Sequence, residues 1–145
     1  PGINDLAKLK TGLTLSVSLH SADNARRSEI MPVNRKWDIN ELIAACRKYI
    51  SETGRRISFE YAVISGVNDS AADAEALARL LKGMNCHINL ITVNKIKERS
   101  YSADRKSVEQ FMKRLEKLGM NVTIRRTLGA DINAACGQLR REYEI

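Results

Sequence analysis

Leu13-Thr14-Leu15-Ser16-Val17-Ser18-Leu19-His20 alternates without a break between apolar and polar side chains. A period of two marks a strand with one dry side and one wet side. Leu13, Leu15, Val17 and Leu19 fall on the dry side; Thr14, Ser16, Ser18 and His20 fall on the other. If helices cover the apolar side, the polar row faces a cavity or a ligand.

Working outward, a loop from Ser21 to Trp37 carries Arg26, Arg27, Pro32, Asn34, Arg35 and Lys36, with room for a short helical turn near Asp23 to Glu29. Asp38 and Glu41 then form a capping-box pattern. Ile39, Leu42, Ile43, Cys46, Tyr49 and Ile50 recur behind it at helical spacing until Gly54. The run Ile57 to Ile64 is a second strand, closed by the turn Ser65-Gly66-Val67-Asn68-Asp69. Glu60 lies opposite its apolar face and either lines a cavity or partners an arginine. Ser70 and Asp73 open a helix with Ala74, Leu77, Ala78 and Leu81 on one stripe, ended by Gly83. A third strand spans His87 to Val93, with Cys86 just before it and Asn94 just after. Val108, Phe111, Met112 and Leu115 mark another helix, and Asn121 to Thr127 a last strand; the chain opens on a helix over residues 3 to 10.

Strands separated by helices pair in parallel, so the fold class is α/β with crossover helices. In such sheets ligands bind at the carboxyl ends of the strands. That rule gathers His20, the turn at Ser65 to Asp69, Asn94 and the run Thr127 to Cys136 on one rim.

The 145 residues, 43% hydrophobic and 28% charged, suit one compact domain over 1–145. The longest apolar runs are too short for a bilayer and the start has no signal-peptide character, so a cytoplasmic location and no membrane partner are expected. Pro1-Gly2 in place of an initiating Met suggests a piece of a longer protein. The net charge of +7 is uneven. Residues 1–94 hold 12 basic and 10 acidic side chains (+2), and residues 95–145 hold 12 and 7 (+5). A basic last third suits an anionic partner such as RNA, although solvated helix faces explain part of it and seven aromatic residues make a poor stacking platform.

Three dispersed cysteines suggest neither a disulfide framework nor a zinc pair. Cys46 sits on a buried helical stripe, and Cys86 precedes a strand at the end away from the rim. Cys136 differs: it lies in Asp131-Ile132-Asn133-Ala134-Ala135-Cys136-Gly137-Gln138-Leu139, among small residues that let a large substrate approach, with Arg125 and Arg126 upstream to favour a thiolate. A buried, inert thiol is the competing reading.

Ser18-Leu19-His20, Met31-Pro32-Val33-Asn34-Arg35-Lys36, Phe59-Glu60-Tyr61, Gly66-Val67-Asn68-Asp69, Asn89-Leu90, Val93-Asn94 and the Cys136 segment together, in this order, resemble one family. It is the radical S-adenosylmethionine RNA methyltransferases that methylate C2 of an adenine in 23S rRNA and, in many members, in tRNA. The resemblance covers nearly the whole chain. It implies the carboxyl-terminal half of a partial (β/α)6 TIM-like barrel, with the segment 127–139 carrying the cysteine that accepts a methyl group. By position, Cys136 matches the methyl-carrying catalytic residue, and Ser18, Leu19, His20 and Asn94 match contacts to S-adenosylmethionine. Adenine C2 is not nucleophilic, so the family's scheme is radical: the methyl rests on the cysteine sulfur, loses a hydrogen to a 5′-deoxyadenosyl radical and then adds to C2.

The resemblance implies two cofactors, S-adenosylmethionine and a 4Fe-4S cluster, together with an electron donor such as flavodoxin or ferredoxin. The cluster's C-x3-C-x2-C run does not occur in this sequence. No metal ligand is therefore assigned here, and the chain by itself is expected to be inactive. The barrel's first strand in this chain would also be left with an open edge, which predicts self-association. The alternatives are the C8-specific resistance relative, another radical enzyme such as an activase or maturase, and a non-catalytic RNA-binding domain.

Overall fold

The computed structural model describes residues 1–9, 12–93 and 104–125. Helix α1 (Gly2–Lys8) precedes strand β1 (Leu15–Ser18); helix α2 (Asn24–Ile30) and a 3-10 turn at Pro32–Arg35 lead to α3 (Ile39–Thr53). Then β2 (Ile57–Val63), α4 (Ala71–Leu81), β3 (Cys86–Thr92), α5 (Arg105–Lys117) and β4 (Val122–Ile124) follow. The strands form one sheet in the order β1-β2-β3-β4, every pair parallel.

Local chemistry explains where the helices start and stop. Asp38 accepts from the Glu41 N–H while the Glu41 carboxylate accepts from the Asp38 N–H, and Ser70 with Asp73 makes the same reciprocal pair. Each box satisfies two donors that the first helical turn leaves open, a contribution of about 1 kcal/mol. Gly54 ends α3 at φ 66, a left-handed conformation that favours glycine. Asp23 caps α2 by accepting from the Arg26 N–H.

Packing follows from the alternation of the strands. β2 alternates between buried and half-buried from Ile57 to Val63 without exception. Its even-numbered side chains share the half-buried or exposed face with Ser16, Ser18, His87, Asn89 and Thr123. On the other face, Val17, Ile57, Phe59, Tyr61, Val63, Ile88 and Leu90 meet Ile43 and Cys46 of α3, Leu77 and Leu81 of α4, and Val108, Phe111 and Leu115 of α5 in one cluster. Full burial of each large side chain contributes about 1.5–3 kcal/mol. Tyr61 and Phe111 stack at 5.3 Å between ring centroids, tying β2 to α5.

The first strand is shorter than its alternation predicts. Its pairing begins at Leu15, opposite Ile57, the first residue of β2; Leu13 has no partner strand and is 59% exposed. Helix α1 ends at Lys8 rather than at residue 10, and β3 includes Cys86 as its first residue.

Candidate functional site

The carboxyl ends of β1 and β2 meet at Ser18-Leu19-His20 and the turn that follows Val63. Ser18 closes β1 with its side chain exposed on the polar face. Leu19 is fully buried; its N–H donates to the Glu60 carbonyl at 2.9 Å and its side chain belongs to the core. His20 does not continue the strand's polar row, as strict alternation predicts. It turns to φ 61, the one positive φ among the described non-glycine residues, and its ring swings over β2, where Nδ1 accepts from the Ala62 N–H at 2.8 Å. A histidine in the left-handed region is strained, and it persists because the surroundings hold it.

Arg27 and Asn68 do the holding. Arg27 is 3% exposed. Its Nε donates to the Leu19 carbonyl at 2.9 Å, one terminal nitrogen to the Ser18 carbonyl at 3.0 Å and the other to Asn34 Oδ1 at 2.8 Å. Asn34 in turn donates to the Asn24 carbonyl and to Ser28 Oγ, while Asn24 Oδ1 accepts from the Ile39 N–H. The loop between β1 and α3 is thereby cross-braced by polar side chains.

From the other side, Asn68, fully buried, donates to the carbonyls of His20 at 2.9 Å and Ala62 at 2.8 Å and accepts from the Ile64 N–H at 2.7 Å. The Tyr61 hydroxyl donates to the Asn68 carbonyl at 2.6 Å. Gly66, at φ 75, donates its N–H to Asp69 Oδ1 and completes the turn.

The electrostatics follow from this burial. Desolvation, and then the nearby Arg27 guanidinium, lower the pKa of His20 to about 4, so the ring is neutral at physiological pH. Desolvation also lowers the pKa of Arg27, which has only neutral oxygens as hydrogen-bond partners among the described residues. Burial pushes the Cys46 thiol up to about 11 and raises the pKa of Cys86. Burial likewise raises the Tyr61 phenol, which stays protonated as a donor.

The polar face carries a row of hydrogen bonds one layer below the rim. Ser18 is in register with Glu60, and both Glu60 carboxylate oxygens accept from Asn89 Nδ2, at 3.0 and 3.3 Å. Thr123 Oγ1 reaches Asn89 Oδ1 at 3.4 Å and His87 Nε2 at 3.0 Å. The partner of Glu60 is therefore a strand amide, and no arginine contacts its carboxylate among the described residues. Asn94 and Cys136 lie outside the described residues, as do Arg126 and the run Thr127 to Leu139; Arg125, just past β4, is exposed.

This parallel sheet with crossover helices resembles part of a solved radical SAM methyltransferase. The chain superposes on a radical SAM methyltransferase from Sphaerobacter thermophilus with a TM-score of 0.90 and 47% identity, covering 95% of this chain and 41% of that one. At 16% identity, a domain of pyruvate-formate lyase-activating enzyme from Bacteroides vulgatus shares the fold alone, with a TM-score of 0.64 over 86% of this chain and 73% of that one.

By sequence the chain is similar, over nearly its whole length, to part of probable dual-specificity RNA methyltransferases. It is 50% identical over 144 residues to a probable dual-specificity RNA methyltransferase RlmN of Clostridium perfringens, covering 99% of this chain and 42% of the relative. It is 55% identical over 147 residues to that of Pelotomaculum thermopropionicum, covering 100% and 40%. The chain thus spans about two fifths of the length of the curated relatives it matches. No protein-family model matches it.

A radical enzyme's iron-sulfur cluster does not fit the residues described here. Among them no group of three His, Cys, Asp or Glu side chains could hold a metal, and Cys46 and Cys86 are both core residues. Among the described residues, no helix is long and apolar enough to cross a membrane. Sequence reasoning placed the turn at Ser65 to Asp69 on the rim but gave Asn68 no role of its own, and it gave none to Arg27 or Asn34. A signal for two of them was present in Met31-Pro32-Val33-Asn34 and Gly66-Val67-Asn68-Asp69, where polar residues sit in turns flanked by apolar ones.

Proposed function

We propose that this chain forms part of an RNA methyltransferase that methylates C2 of an adenine in 23S rRNA, and in tRNA, by a radical S-adenosylmethionine mechanism. The observation that carries this reading is 50–55% identity to dual-specificity RNA methyltransferases across 99–100% of the chain. The strand ends support it: a fixed imidazole and an exposed Ser18 hydroxyl stand where parallel sheets bind ligands. Ser18, Leu19 and His20 then contact S-adenosylmethionine, with Leu19 contributing through the backbone it holds in place, and Asn94 is the further contact that the family resemblance implies.

In this reading Cys136 is the methyl carrier. Its thiol loses a proton, the thiolate attacks the sulfonium methyl, a carbon–sulfur bond forms on Cys136 as the sulfonium bond breaks, and S-adenosylhomocysteine leaves. The radical chemistry belongs to a reduced 4Fe-4S cluster and its electron donor, flavodoxin or ferredoxin. The described residues do not fit that cluster. A cytoplasmic setting suits a ribosomal RNA substrate and a reduced cluster.

The test is nucleoside mass spectrometry of rRNA and tRNA from cells with and without the longest reading frame that carries this chain. The expected result is loss of 2-methyladenosine, restored by the wild-type gene and not by Cys136→Ala. A lost 8-methyladenosine would assign the C8-specific relative instead, and unchanged RNA would leave the RNA-binding reading.

We also infer that the chain by itself self-associates through β1. This strand is at the edge of the described sheet, and Leu13 just before it is exposed. An unpaired strand edge templates pairing with another chain. Light scattering of the 145-residue chain should show a dimer or larger species; a monodisperse monomer at high concentration would remove the idea.

A further inference from the structure

Three consecutive carbonyls at the end of β1 are held by buried side chains. Those of Ser18 and Leu19 accept from Arg27, and that of His20 accepts from Asn68. Arg27 is a buried cation whose partners among the described residues are neutral oxygens only. Burying such a charge is costly, and an apolar side chain of similar volume commonly stabilises a core as well or better. Core stability alone therefore gives a poor reason for an arginine here, and two of its three contacts go to the strand-end tripeptide.

The His20 ring has one assignable tautomer. Nδ1 accepts from the Ala62 N–H, so it carries no proton, and in the neutral imidazole the proton sits on Nε2. Protonating Nδ1 would set two N–H groups against each other and place a second cation near Arg27. No protein partner engages Nε2 among the described residues, and the ring is only partly buried. With the three carbonyls engaged, the side-chain groups that the tripeptide can offer a ligand are the Ser18 hydroxyl and the Nε2–H of His20.

We propose that Arg27 and Asn68 are positioning residues: they fix the backbone of Ser18 to His20 so that His20 presents Nε2–H as a permanent hydrogen-bond donor to an acceptor atom of an adenosine-bearing ligand. This rests on the reading that the strand end binds S-adenosylmethionine. His20 then recognises the ligand without exchanging a proton with it. Arg27 acts twice, through the carbonyls it orients and through the positive potential that opposes a second charge on the ring.

The test uses the longest reading frame that carries this chain, labelled with ¹⁵N-histidine, with S-adenosylhomocysteine as the unreactive probe and His20 signals assigned by their loss in H20N. Wild type should show a pyridine-type Nδ1 and a pyrrole-type Nε2, with Nε2 moving when the probe binds. H20N keeps a residue that tolerates the left-handed backbone but lacks the outer donor; it should bind the probe about tenfold more weakly in calorimetry, at a similar Tm. R27K keeps the charge but not the fork, and should weaken binding comparably while mixing the His20 tautomers.

A pyrrole-type Nδ1 in wild type would overturn the proposal. So would R27K and H20N binding like wild type, because Arg27 would then be structural only; in that case wild-type binding leaves the S-adenosylmethionine reading intact. Failure of wild type to bind the probe at all would overturn both.

Discussion

The N–H of Ala62 on β2 donates to Nδ1 of His20, 2.8 Å away, and this bond survives only while the imidazole is neutral. The folded pKa of about 4 lies below the ordinary 6.5. Between those values the unfolded chain binds a proton that the folded chain refuses, so stability falls as pH drops. The contribution is complete above pH 6.5 and is lost progressively toward pH 4, reaching at most about 3 kcal/mol. Urea midpoints at pH 7.5, 6 and 5 should fall more steeply for wild type than for His20→Asn. Parallel slopes for the two proteins would contradict the assignment.

Asn68 closes the turn after β2 with three side-chain hydrogen bonds. Asn68→Ala leaves the buried Ile64 N–H and two carbonyls without these partners. A loss of about 3 kcal/mol is expected, since one unsatisfied buried group alone costs about 1–3 kcal/mol. Denaturant unfolding measures it, and a change below 1 kcal/mol would mean water replaces the amide.

Phe111 is fully buried and stacked on Tyr61. Phe111→Ala should cost about 3–5 kcal/mol by opening a cavity between α5 and β2. Phe111→Leu, which keeps most of the volume, should cost clearly less. Equal effects of the two substitutions would show that ring contact rather than volume sets the energy.

Cys46 and Cys86 should resist alkylation in the native protein. Both are buried, and burial holds both thiols above their ordinary pKa, Cys46 to about 11. Only the thiolate reacts appreciably, so iodoacetamide at pH 7.5 should modify them in urea and not in buffer. Peptide mapping reads this out, with rapid native labelling of either site as the contrary result.

Much of the fold was legible because β2 and the helical stripes obey simple periods. Ile57 to Val63 alternates in burial as its sequence alternates, and Ile39, Ile43 and Cys46 of α3 face the core at helical spacing. Leu13 was misplaced because pattern alone cannot say that β2 begins opposite Leu15. His20 was misplaced because its backbone reverses hand, a choice set by contacts to Ala62 and Asn68 far along the chain. The role of Arg27 was hidden for the same reason, since its acceptors are carbonyls that every residue possesses. Glu60 met Asn89 once the register brought them side by side.

The brace formed by Arg27, Asn34 and Asn24 is made of hydrogen bonds, whose geometry is narrow, rather than of apolar contacts, which tolerate sliding. Damage to the loop between β1 and α3 is therefore not graded. A lost methyl group in the core would loosen the protein slightly everywhere, whereas loss of the Arg27 guanidinium would release Ser18, Leu19 and Asn34 together. One guanidinium thus works as a keystone for two adjacent carbonyls of the strand end.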